Sequence, residues 1–95
     1  MTMTTNQGKM DLFELLEIDQ DRLPRESRWG ANYIARAWVE AGRPTEPKML
    51  AGFLDARLRF CTENGVRYPS VLLKRLKQLQ RKEWLPRVTG PDDDE

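Results

Sequence analysis

Four stretches of the chain repeat apolar residues at intervals of three and four, the spacing that lines one side of an α-helix. In the first, about residues 11–19, Leu12, Leu15 and Leu16 share a face with Phe13 beside them. Asp11 is placed to cap it, and Glu14 completes an acidic form of the capping box. Leu23-Pro24 then breaks the pattern, because the residue before a proline is pushed out of the helical region. The second stretch, about 25–41, gathers Ala31, Ile34, Ala35, Trp38 and Ala41 on one side. Its small residues let another helix approach closely, Gly42 supplies a left-handed stop and Pro44 forbids continuation. The third, about 46–63, starts behind a Thr45 N-cap with Glu46 at the positive end of the helix dipole. Its stripe of Leu50, Leu54, Leu58 and Cys61 is widened by Phe53 and Phe60 and interrupted by Arg57, and Asn64-Gly65 ends it. The fourth, about 69–84, has Pro69 near its first turn and buries Leu72, Leu76 and Leu79. No alternating apolar–polar run and no internal repeat accompanies these helices. The pattern predicts an all-α domain of four helices over residues 10–87, between a flexible polar leader (1–9) and a disordered acidic tail (88–95).

Length agrees with this picture: 95 residues are enough for one thin core and too few for two. No run approaches the roughly 18 apolar residues of a membrane span, and "MTMTTNQGKM" lacks the apolar centre of a secretory signal. A lone cysteine, Cys61, forms no internal disulfide, which fits a reducing, cytoplasmic setting.

Charge changes the picture more. The net charge is only +1, yet residues 1–26 carry −3, residues 27–65 carry +2, residues 66–87 carry +6 and residues 88–95 carry −4. Local fields, not the total, steer charged partners. On the fourth helix Lys74, Lys77 and Arg81 fall opposite the leucines, with Arg75 and Lys82 on a flank. Such a face is open to phosphates; its plain alternative is a solvated surface whose long stems cover apolar neighbours. The "DDDE" end has two readings as well: it keeps the chain soluble, or it folds back on the basic helix and competes with nucleic acid.

The stretch "CTENGVRYPSVLLKRL", residues 61–76, resembles the middle of a helix-turn-helix DNA-binding motif. Cys61 matches the small residue that lets two helices pack, Gly65 the turn, Val66 the apolar plug, and Ser70 and Val71 the start of the second helix. Lys74 stands where the motif usually has an apolar residue, and Pro69 is unusual at that helix start. The resemblance implies that the last helix enters a major groove. Arg67, Tyr68, Ser70 and Lys74 would then lie nearest base edges, and Arg75, Lys77, Arg81 and Lys82 would hold phosphates.

Other residues point towards a protein partner. Arg57, inside an apolar stripe, needs water or a carboxylate from elsewhere, with Glu14, Glu17 and Glu40 as the candidates. Trp38 falls on the core face of its helix, Trp29 on the opposite side and Trp84 near a helix end. An exposed tryptophan is either an interface anchor or the cover over a core edge. Trp29, Arg57 and Trp84 are therefore the candidate partner-binding residues.

Chemistry is sparse. The chain has no histidine, one cysteine, no phosphate-binding glycine motif and no metal-ligand spacing. Carboxylate pairs such as Glu14 and Glu17 read as surface charge. The expectation is a non-enzymatic binding protein without cofactor or metal. Nucleic acid is its preferred partner; the alternative is a protein–protein adaptor or inhibitor, including a homodimer through a spare apolar helix face.

Overall fold

A reciprocal cap starts the first helix: the Asp11 carboxylate accepts from the Glu14 N–H at 2.8 Å, and the Glu14 carboxylate accepts from the Asp11 N–H at 3.3 Å. The computed structural model describes residues 11–86, so the leader, the acidic tail and the outer limits of the expected domain lie outside the described residues. The element order is α1 (Leu12–Leu15), two 3₁₀ turns (Gln20–Arg22 and Arg25–Ser27), α2 (Arg28–Glu40), α3 (Pro47–Glu63) and α4 (Ser70–Gln80). The fold is all-α, with four α-helices and no strand among the described residues.

Each helix ends on a left-handed residue, but only two of the four are glycines. Gly42 (φ 94) closes α2 and Gly65 (φ 69) closes α3, where glycine was expected to do so. Glu17 (φ 58) closes α1 and Lys82 (φ 62) closes α4. In all four ends the following N–H reaches back five residues to a helix carbonyl: Ile18 to Phe13, Arg43 to Trp38, Val66 to Cys61 and Glu83 to Gln78. The expected spans 11–19 and 69–84 are therefore too long, and Trp84 falls outside α4. The expected N-cap of α3 also moves. Glu46, not Thr45, holds that place, because Pro47 occupies the first turn and fixes the residue before it as extended (φ −65, ψ 136).

The core draws on every helix. Leu12, Leu15, Leu16, Ile34, Trp38, Leu50, Leu54 and Leu72 are almost wholly buried, and Pro69 joins them. A buried leucine of this kind contributes about 1.5–3 kcal/mol relative to an exposed one. The Trp38 indole N–H is satisfied by the Pro44 carbonyl at 2.9 Å. Two expected core residues are outside: Ala41 is exposed, and Phe60 is 42% exposed. The α3–α4 pair makes the most extensive helix contact. Helix α2 meets the segment joining that pair at Gly30, where a Cβ would overlap the Arg67 carbonyl oxygen and stand 3.0 Å from its carbon.

Candidate functional site

Helix α4 places its side chains in two opposed rows. Leu72, Leu76 and Leu79 are buried. Ser70, Lys74, Lys77 and Arg81, spaced by four, three and four residues, are exposed on the other side. Lys82, carried by the left-handed turn, and Arg67, in the preceding segment, are exposed too. The ion pairs among the described residues are Arg22–Asp19 at 3.6 Å and Arg59–Asp55 at 3.4 Å, both on the surface and of small energetic weight. No described carboxylate pairs with the α4 row. Tyr68, expected near base edges, is half-buried against the core.

Arg75 does not join the row. Its Nε–H donates to the Leu16 carbonyl at 2.8 Å, and its Nη1 donates to Gln78 Oε1 at 2.8 Å. Its guanidinium carbon lies 4.7 Å from the centre of the Trp84 ring. Trp84, which follows the left-handed turn at Lys82, thus lies against a residue of α4, and both side chains are half-buried. Arg75→Ala is therefore expected to cost about 2–3 kcal/mol in urea unfolding, because a charged hydrogen bond and the cation–π attraction to Trp84 disappear together. Arg75→Lys should recover little, because an ammonium does not lie flat on the indole while serving two acceptors. A variant that keeps its stability but loses polyanion affinity would return Arg75 to the binding row.

A second surface forms on the outer side of α2 and α3. Trp29 is 66% exposed and stacks on Tyr33, with ring centres 6.0 Å apart and planes 10° from parallel. Tyr33 leans on Phe60 at 5.4 Å. Arg57 does not meet a carboxylate as expected: its Nη1 donates to the Tyr33 hydroxyl at 2.9 Å, and its guanidinium sits 5.8 Å from the centre of the Phe53 ring. Its Nε is buried without a partner. A groove of about 580 Å³ runs beside Trp29, Asn32, Tyr33, Arg36 and Val39. Sequence reading singled out Trp29 and Arg57 but missed Tyr33 and Phe60. The signal was present, since Trp29, Tyr33 and Arg36 repeat at helical spacing on the side away from Ile34 and Trp38.

Burial pushes the Cys61 thiol up, and the Arg57 charge offsets only part of that rise, so the sulfur is held as a neutral core group. Among the described residues no His, Cys, Asp and Glu cluster is arranged to hold a metal, and no helix is long and apolar enough to cross a membrane. No protein-family model, no curated protein and no solved structure matches the chain.

Proposed function

We propose that the protein is a non-enzymatic helical binding protein that takes nucleic acid on the cationic row of α4. The observation that carries this reading is the exposed line of Lys74, Lys77 and Arg81, without an ion pair to a described carboxylate. Such a row attracts a polyanion by releasing its condensed counterions, and it does so without disturbing the leucines beneath. The proposal rests on that row and not on the helix-turn-helix resemblance. The link between α3 and α4 spans residues 64–69, longer than the three or four residues of that motif's turn.

Anisotropy titrations against duplex DNA, single-stranded DNA and RNA at roughly 50 and 200 mM salt test the proposal. Four phosphate contacts, from Lys74, Lys77, Arg81 and Lys82, give a slope of log affinity on log salt of about −3 to −4. No binding to any of the three, or binding indifferent to salt, overturns it.

A second reading, a protein–protein adaptor or inhibitor, is favoured by the exposure of Trp29 beside Arg57 and Phe60. Tryptophan and arginine are the residues most often found to anchor protein contacts. Light scattering that reports a dimer for the native chain and a monomer for Trp29→Ala would support it.

A further inference from the structure

We infer that the nucleic acid is single-stranded and that the Trp29–Tyr33–Phe60 ladder is the platform on which its unpaired bases stack. The inference rests on the proposed nucleic-acid reading and adds the ligand's strandedness and a second contact surface to it.

The ladder is already assembled. Trp29 and Tyr33 are near-parallel and Tyr33 leans on Phe60 at 34°, so the largely exposed Trp29 ring extends an aromatic cluster that is already in place. Arg57 pins the Tyr33 hydroxyl, so the middle ring is held before a ligand arrives and little ordering is left to the binding step. A nucleobase added to such a face gains stacking whatever its identity. A base inside a duplex has no face to offer.

Charge points the same way. The α2 row Trp29, Tyr33, Arg36, Glu40 and the α3 row Phe53, Arg57, Phe60 together hold four aromatics, two arginines and one carboxylate. Of the residues lining the groove beside Trp29 only Asp11 is acidic, and its carboxylate is committed to the cap of α1. Gly30 abuts the Arg67 carbonyl, so the helix that carries Trp29 and Tyr33 is seated on the segment that leads into α4. A strand long enough to pass from α4 over Arg67 onto α2 would meet both the cations and the aromatic faces. Aromatic side chains beside a basic track are the two components of non-specific single-strand binding.

The test uses the full chain, a labelled oligo-dT and a duplex of equal length. Expected are tighter binding of oligo-dT, quenching of tryptophan emission at saturation, and a roughly five- to hundredfold loss of oligo-dT affinity in Trp29→Ala. The salt slope should be unchanged in that variant, and Trp29→Phe should restore part of the affinity. Phe60→Ala provides an independent variant should Trp29→Ala lose its helical circular dichroism. Failure of all nucleic-acid binding overturns the functional reading and this inference with it. Salt-dependent binding with equal affinity for duplex and oligo-dT, no quenching, and no effect of either variant overturns the platform and leaves the α4 row standing. Self-association that depends on Trp29, with oligo-dT affinity unaltered, assigns the ladder to a protein contact instead and also overturns the inference.

Discussion

Converting Lys74, Lys77 and Arg81 together to glutamate is expected to lower affinity for oligo-dT at least about 100-fold near 0.1 M salt while the helical circular dichroism persists. The size follows from counterion release. Each phosphate left without its cation takes about 0.7 off the salt exponent on a single strand, so three remove about two decades at that salt. Reversal adds repulsion to the loss, which makes that figure a lower bound. The fold should tolerate the change because all three side chains are exposed and none is in an ion pair with a described carboxylate. The main structural penalty is a negative charge at position 77 in the last turn of α4, worth about 0.3–1 kcal/mol against the helix dipole. Unchanged affinity in the triple variant would remove α4 as the binding surface. Collapse of the helical signal would mean that the row supports the fold.

The second large effect concerns stability. Gly30→Ala should destabilise the protein by about 3 kcal/mol, lowering its melting temperature by roughly 10–20 °C. The sign runs against the usual rule, since alanine normally improves a helix interior by about 1 kcal/mol over glycine. It reverses here because the new methyl meets a backbone carbonyl, that of Arg67, with Val66 Cγ1 3.3 Å away. A backbone segment does not step aside as a side-chain tip does, so α2 must lift from the joining segment. Gly52 in α3 is the internal control: nothing lies within 4 Å of the site of its Cβ. Gly52→Ala is expected to stabilise by about 0.5–1 kcal/mol. Thermal melts of the two variants side by side decide the matter; equal effects would mean that the α2 seat at Arg67 yields.

The four helices and their buried faces were legible in the sequence because helix periodicity is local. Leu50, Leu54, Leu58 and Cys61 recur at the interval of one helical surface, and all are buried. The ends of α2 and α3 were legible because Gly42 and Gly65 announce a left-handed turn. The ends of α1 and α4 were not. Glu17 and Lys82 take the same conformation at a cost of about 1–2 kcal/mol each, and nothing in their chemistry advertises it. Packing further along the chain overrides the local preference, and sequence spacing alone does not contain that packing. Arg75 shows the same limit for the site. On a helical wheel it flanks the cationic row, yet two of its three partners, Leu16 and Trp84, lie outside α4. Arg57 was legible as a buried oddity, but its acceptor proved to be a phenol instead of a carboxylate.

The bond from Arg75 to the Leu16 carbonyl joins residues 59 positions apart. It makes the amino-terminal helix a strut under the last one and not a detachable ornament. Trimming the chain past Asp11 to obtain a smaller fragment would therefore uncap α1 and strip the far end of the molecule of its anchor. The smallest truncation that still holds α4 in place must begin at or before Asp11 and run through Trp84.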